Sequence, residues 1–189
     1  EICRYIMRER QTKRHAFSCA SERACHDGPM QTLLPLAEAV GERLKARGEN
    51  LAVSESSAGG LISASLLAQA GASTFYRGGG VIYTPQAYKG LLGLTREDIE
   101  GMRSATEPYA RMIAGTIRAK TRGVWGLCET GAAGPSGNGY GDAAGHVCIA
   151  MVGDGVNISR TLETGLTDRV ENMRLFAKFA LEFALETLS

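Results

Sequence analysis

A cluster of hydroxyl side chains, one carboxylate and two glycines follows a short apolar run near residue 50. The stretch is Leu51-Ala-Val-Ser-Glu-Ser-Ser-Ala-Gly-Gly60, and an amphipathic run follows it. This pattern predicts a strand, a tight turn and a helix. Ser56 and Ser57 are good helix caps, while Gly59 and Gly60 let a ligand approach the backbone. The first N–H groups of the helix are therefore expected to face an anion or a developing oxyanion.

A second loop rich in small residues follows another apolar run, at 124–128. It is Thr130-Gly-Ala-Ala-Gly-Pro-Ser-Gly-Asn-Gly-Tyr-Gly141, and its five glycines are more than a hairpin needs. Two such loops, each leaving a predicted strand, are expected to form the two lips of one crevice at the strand ends of an α/β sheet.

Nucleophilic catalysis by a hydroxyl needs a base that deprotonates it and donors for any oxyanion that forms. Serines supply candidate nucleophiles, but the only histidine after residue 29 is His146, within a predicted strand. That position is more typical of a packed or partly exposed strand residue than of a base. The residues therefore favour a serine assisted by lysine or tyrosine over a Ser-His-Asp triad.

Hydrophobic periodicity predicts the elements that would position these loops. Helices are expected at 33–47, 61–70, 86–92, 108–120 and 168–188, and strands at 51–54, 81–83, 124–128, 145–152 and 156–163. Their order predicts an α/β fold with three α/β/α layers around a mixed sheet.

Composition limits the classes of function. The 189 residues are 44% hydrophobic and 22% charged, which suits one globular domain. A net charge of +1 gives no basic field for nucleic acid. No apolar run approaches the roughly 18 residues of a membrane span. We expect a small-molecule substrate and neither a nucleic-acid nor a membrane partner.

The five cysteines form an odd set without a CxxC pair, which argues against a disulfide framework or a zinc site and fits a reducing cytoplasm. No metal or other cofactor is expected. Residues 1–29 differ from the rest and are interpreted as a poorly packed extension before a domain at 30–189, with an organelle presequence left open. This segment holds five possible metal ligands at spacings that match no usual site: Cys3, His15, Cys19, Cys25 and His26.

The two loops together resemble the C-terminal domain of the CinA competence/damage-inducible proteins, the nicotinamide-nucleotide amidohydrolase (NMN deamidase) family. That family has roughly Ala-Glu-Ser-Cys-Thr-Gly-Gly where this chain has Ser54-Glu-Ser-Ser-Ala-Gly-Gly60, and Thr-Gly-Ile-Ala-Gly-Pro where it has Thr130-Gly-Ala-Ala-Gly-Pro135. Gly71-Ala-Ser-Thr-Phe-Tyr-Arg-Gly78 and Val81-Ile-Tyr-Thr84 match two further motifs. The resemblance extends from about Leu33 to the C-terminus.

The resemblance implies a deamidase that uses serine and lysine, as well as a homo-oligomer. Carried over by motif, the residues expected in catalysis are Ser56, Ser73, Tyr83, Tyr88 and Lys89. Those expected to bind substrate are Ser57, Gly59, Gly60, Thr130, Gly131, Gly134 and Arg169.

The chain departs from the family pattern at the lysine. The spacing to Leu92-Gly93 places Tyr88 at the family's lysine position, and Lys89 follows one residue later. One residue on a helix is a rotation of about 100°. Two hypotheses follow: an amidohydrolase acting on nicotinamide mononucleotide or a related nucleotide amide, and a nucleotide-binding module that has lost turnover.

Overall fold

A five-stranded mixed sheet forms the middle layer of the domain in the computed structural model, which describes residue 28 and residues 30–189. The strands are β1 (Leu51–Glu55), β2 (Tyr76–Val81), β3 (Trp125–Ala132), β4 (His146–Gly153) and β5 (Val156–Glu163). Their spatial order is β2-β1-β3-β4-β5; β1 is parallel to β2 and β3, and the remaining pairs are antiparallel.

Helices cover both faces of this sheet, which confirms the predicted three-layer α/β/α fold. They are α1 (Leu34–Arg47), α2 (Leu61–Leu67), a short α3 (Pro85–Ala87), α4 (Glu107–Thr121) and α5 (Arg169–Thr187). A π-helical turn, Tyr88–Leu92, continues α3. The expectations for residues 1–27 and 29, including the cysteine and histidine cluster, lie outside the described residues.

The two faces of the sheet carry side chains of different size. Large side chains such as Leu127 and Met151 pack under α1, α2 and α5, where Phe176 is fully buried. The other face has small residues, because α4 lies close to it: a Cβ on Gly126 would stand 2.0 Å from the carbonyl oxygen of Ala114. This close approach allows no larger residue at Gly126 without a shift of the backbone.

The prediction was wrong for the second strand. It placed the strand at 81–83, whereas β2 begins at Tyr76 and contains the glycine triplet at 78–80. A Cβ on Gly79 would lie 2.6 Å from both the Tyr76 hydroxyl and the Val53 carbonyl oxygen, so packing requires the glycine. The helix predicted to end at residue 70 is also shorter and ends at Leu67.

Strand register brings the two loops to the same edge of the sheet. Ser54 pairs with Cys128 in the parallel β1–β3 ladder, so Ser56 and Thr130, each two residues further on, arrive side by side. Glu55 pairs with Val81, which brings the end of β2 to the same edge. Parallel strands thus deliver their following residues to one crevice.

Candidate functional site

A cavity of about 230 Å³ opens where β1, β2 and β3 end, on the side of the sheet covered by α4. Ser56 and Thr130 both line it, as the register requires. The remaining lining residues are Ile82, Tyr83, Thr84, Pro85, Tyr88, Ser104, Ala105, Tyr109, Gly131, Asn138 and Tyr140. The two small-residue loops therefore do converge on one crevice.

Two of the predicted catalytic residues lie elsewhere. Ser73 is exposed in the turn before β2, near the start of β1. Ser56 follows the end of that strand, and the five residues between Leu51 and Ser56 span about 17 Å at roughly 3.3 Å each. Ser73 is therefore at the opposite end of the sheet, and its expected place in the crevice is wrong. A motif match gave its position in sequence but not the edge of the sheet it would occupy.

Lys89 is the other predicted catalytic residue outside the cavity. Tyr88 lines the cavity, whereas Lys89 lines a neighbouring depression of about 550 Å³ that also includes Arg96. The two spaces share Pro85 and Tyr88. Position 88 therefore places a phenol inside the crevice, whereas the ammonium group of Lys89 lies in the adjoining depression.

The first N–H groups of α2 do not face the crevice, which corrects the expectation for Gly59 and Gly60. The Glu55 carboxylate accepts hydrogen bonds from the N–H groups of Gly60, Ile62 and Ser63 at 2.8 to 3.0 Å. The Gly59 N–H bonds the Ser56 carbonyl at 3.3 Å. Because a side chain of this chain already satisfies the helix terminus, the glycine turn offers no ready anion site.

A second buried carboxylate holds the start of the same loop. Glu129 Oε2 accepts the N–H groups of Ser56 and Ala58, each at 2.9 Å, while Oε1 has no hydrogen-bond partner among the described residues. Burial raises the pKa of Glu129 to about 7; its N–H donors oppose this shift, and the nearby Glu55 charge adds to it. Sequence reasoning missed Glu129, although a carboxylate inside an apolar strand is an unusual signal.

Three other predicted binding residues, Ser57, Gly134 and Arg169, form hydrogen bonds that connect the segments around the crevice. The Ser57 hydroxyl donates to the Gly131 carbonyl at 2.8 Å. Arg169 donates from Nη1 to the Gly134 carbonyl at 2.7 Å and from Nη2 to the Tyr83 hydroxyl at 3.0 Å. Ser57, Gly134 and Arg169 do not line the cavity themselves, but they support residues that do or that adjoin it.

Four tyrosines line the cavity, and two of them were not among the predicted site residues. Tyr109 lies in the helix predicted at 108–120; it is buried in α4, yet it also lines this space. Burial raises the pKa of Tyr109 to about 12, while a hydrogen bond with the Ser104 side chain partly offsets the shift. Its phenol therefore stays protonated and able to donate. Tyr140, from the glycine-rich loop, is more exposed.

Within the described part of the chain, no group of three or more His, Cys, Asp or Glu side chains is arranged to hold a metal ion. Cys128 and Cys148 are buried free thiols. None of the described helices has the length and apolar character that crossing a membrane would require.

The fold and this crevice define a three-layer α/β/α domain with a cavity at the carboxyl ends of parallel strands. The model of the CinA C-terminal domain matches residues 33–188. The chain belongs to the CinA C-terminal domain family.

Individual relatives agree with this membership. A CinA-like protein of Nostoc sp. (strain PCC 7120) is 33% identical over 159 residues, which cover 81% of this chain and 38% of the relative. A CinA-like protein of Desulfosudis oleivorans is 36% identical over 150 residues, 79% of this chain and 36% of its own length. The chain thus spans little more than a third of these relatives.

Among solved structures, the competence or damage-inducible protein of Enterobacter asburiae superposes with a TM-score of 0.76 at 28% identity. The match covers 86% of this chain and 99% of that one.

Proposed function

We propose that this domain hydrolyses the amide of a small pyridine nucleotide, with nicotinamide mononucleotide as the model substrate, to the acid and ammonia. The observation that carries the proposal is the presence of Ser56 and Thr130 in one cavity with four tyrosines. Serine supplies a nucleophile, and aromatic side chains suit a planar ring. The Ser56 hydroxyl attacks the amide carbon, ammonia leaves, and water releases the acid from the acyl-serine.

Tyr83 is suited to the proton transfers of this reaction. Its oxygen accepts a hydrogen bond from Arg169, whose guanidinium also lies 6.0 Å from the Tyr83 ring centroid. Because the guanidinium can only donate, the Tyr83 proton is free to point elsewhere, including toward a leaving amine. Tyr88, which the motif spacing places at the family's lysine position, also lines the cavity and is the second proton-transfer candidate.

Product analysis tests the proposal directly. Purified protein is incubated with nicotinamide mononucleotide from pH 6 to pH 10, and ammonia and nicotinic acid mononucleotide are both quantified. We expect product from the wild type and a loss of at least about a hundredfold in Ser56→Ala, since the nucleophile is removed. Ser73→Ala is the matched control and should keep wild-type activity, because Ser73 is exposed at the far end of the sheet. Absence of both products from the wild type rejects the hydrolase.

One observation favours the second candidate, a nucleotide-binding module without turnover: within the described residues, no lysine or histidine side chain lines the cavity. Tyrosine is ordinarily protonated at neutral pH and is then a poor base. Saturable binding of nicotinamide mononucleotide without product, unchanged in Ser56→Ala, would support that candidate. Tyr88→Lys separates the two further, because a gain of activity in this variant would identify the base as the missing part.

A further inference from the structure

One wall of the candidate cavity is a short segment before α4, Arg103–Thr106, here called the wall segment. Ser104 and Ala105 line the cavity. Ala105 is buried and has φ of 55°, a left-handed conformation that side chains other than glycine rarely adopt. Such a conformation costs free energy and persists only where surrounding contacts hold it in place.

Two donors from β4 converge on the carbonyl oxygen of this strained residue. His146 Nε2 lies 2.9 Å from the Ala105 oxygen, and Cys148 Sγ donates to the same oxygen at 3.3 Å. The two residues are two apart on a strand, so their side chains share a face. β4 pairs with β3 at Thr130 and Gly131, which line one side of the cavity. The same strand therefore also contacts the wall segment on the opposite side.

The second ring nitrogen of His146 also faces an acceptor. Nδ1 lies 2.5 Å from Oε1 of Glu163 on β5. A neutral imidazole has one N–H and can donate to only one of these two acceptors, whereas the imidazolium donates to both. The geometry therefore matches the charged ring.

The groups around His146 agree with a charged ring. Burial opposes the charge, but the hydrogen bonds to Glu163 and Ala105, with the charges of Glu163 and Asp142, raise the pKa of His146. Asp142, which directly follows the glycine-rich loop, is paired with Arg103 at 3.0 Å. From α4, Glu107 faces the neighbouring Cys148 and accepts hydrogen bonds from two β5 hydroxyls, those of Ser159 and Thr161.

We propose that His146, as an imidazolium paired with Glu163, is a positioning residue that fixes the Ala105 carbonyl and with it the wall of the cavity. Through the wall it orients Ser104 and, by the Ser104 side chain, the buried hydroxyl of Tyr109. His146 itself does not line the cavity. This inference deepens the proposed function and rests on it for the identity of the substrate. The contact between His146 and the wall segment does not depend on any reaction.

Backbone amide exchange without ligand tests whether His146 fixes the wall segment. Peptides covering residues 102–109 are followed in the wild type, His146→Ala, His146→Gln and Glu163→Gln between pH 6 and pH 9, with rates corrected for intrinsic exchange. We expect at least about tenfold faster exchange in His146→Ala and partial recovery in His146→Gln, whose amide can still donate to Ala105. Wild-type protection should fall as His146 loses its proton, and that midpoint should move to lower pH in Glu163→Gln, because the charge that favours the imidazolium is gone.

Binding and turnover then test the link to the site. With nicotinamide mononucleotide as the probe, His146→Ala should raise the Kd or KM by about tenfold or more, and His146→Gln should raise it less. The proposal is overturned if His146→Ala exchanges its amides at the wild-type rate, or if the pH midpoint of protection does not move in Glu163→Gln. It is also overturned if His146→Ala exchanges faster but binds the nucleotide with unchanged affinity. If the wild type neither binds nor hydrolyses this nucleotide, the proposed function fails, and the exchange data alone decide whether His146 holds the wall.

Discussion

Replacing Glu129 by glutamine should change how the stability of this domain depends on pH. Glu129 is 1% exposed and lies beside a second buried carboxylate, Glu55. Among the described residues, its hydrogen-bond donors are backbone amides of residues 56–58, here called the serine loop. Burial raises its pKa from 4.5 to about 7. The folded protein therefore binds this proton more tightly than the unfolded chain does.

The sign and the size of the effect follow from that difference. A raised pKa stabilises the folded state fully below the unfolded value near 4.5, and this stabilisation is lost as pH rises through about 7. A tenfold change in an equilibrium constant is worth about 1.4 kcal/mol, so a pKa moved from 4.5 to about 7 corresponds to about 3 kcal/mol. The wild type should lose about this much unfolding free energy between pH 4.5 and pH 8 from Glu129 alone.

Glutamine has nearly the same shape and no charge to acquire. Its carbonyl oxygen can still accept the Ser56 and Ala58 N–H groups, while its amide nitrogen takes the position of the unpartnered Oε1 at a cost of about 1 to 3 kcal/mol that does not vary with pH. Urea denaturation at several pH values measures both proteins. The stability of Glu129→Gln relative to the wild type should improve by about 3 kcal/mol from pH 4.5 to pH 8.

Two further measurements sharpen this test. Infrared spectroscopy should detect a protonated carboxylic acid in the wild type at pH 6 that is missing from Glu129→Gln. The matched control is Glu42→Gln, on the exposed side of α1, which should follow the pH dependence of the wild type. Parallel stability curves for the wild type and Glu129→Gln would refute the reasoning, since the buried acid would then titrate as it does in the unfolded chain.

Three other substitutions test contacts that support the loops and the helix around the crevice. Ser57→Ala removes the hydrogen bond to the Gly131 carbonyl and should cost about 1 kcal/mol in urea denaturation, with weaker binding of nicotinamide mononucleotide by calorimetry. Gly131→Ala would place a Cβ 2.3 Å from the His146 carbonyl oxygen, so overpacking should lower thermal stability by about 1 to 3 kcal/mol, more than Ala substitution at the uncrowded Gly115. Asp168→Ala removes the cap that accepts the Glu171 N–H at 2.9 Å and should cost about 1 kcal/mol, whereas Asp168→Asn should retain most of it.

The layers of the fold could be predicted from the sequence because hydrophobic periodicity and turn residues are local, repeated signals. Helical periodicity marked α1, α4 and α5, and Asp154-Gly155, a dipeptide typical of hairpin turns, lies between β4 and β5. The convergence of Ser56 and Thr130 was also predictable, since parallel strands deliver their following residues to one edge.

The errors arose where the outcome depends on a partner distant in sequence. The N–H groups of α2 were expected to be free, but Glu55 folds back on them from five residues before Gly60, and Glu129 reaches the same loop from another strand. Ser73 was expected in the site because its segment, Gly71 to Gly78, matches a motif of the family. Only the start of β2 at Tyr76, rather than at residue 81, places it at the other end of the sheet.

The two buried carboxylates also restrict where a substrate phosphate can lie. An anion at the glycine turn would meet N–H groups that are already occupied and would lie close to the Glu55 charge, so that position is unfavourable. Arg169, at the start of α5, bonds a carbonyl and a phenol rather than a carboxylate, because Asp168 caps the helix and Glu171 pairs with Arg174. Its charge is thus available beside Tyr83. If the proposed nucleotide binds, its phosphate should lie toward Arg169 and away from the serine loop, and Arg169→Gln should weaken binding of the mononucleotide far more than binding of free nicotinamide.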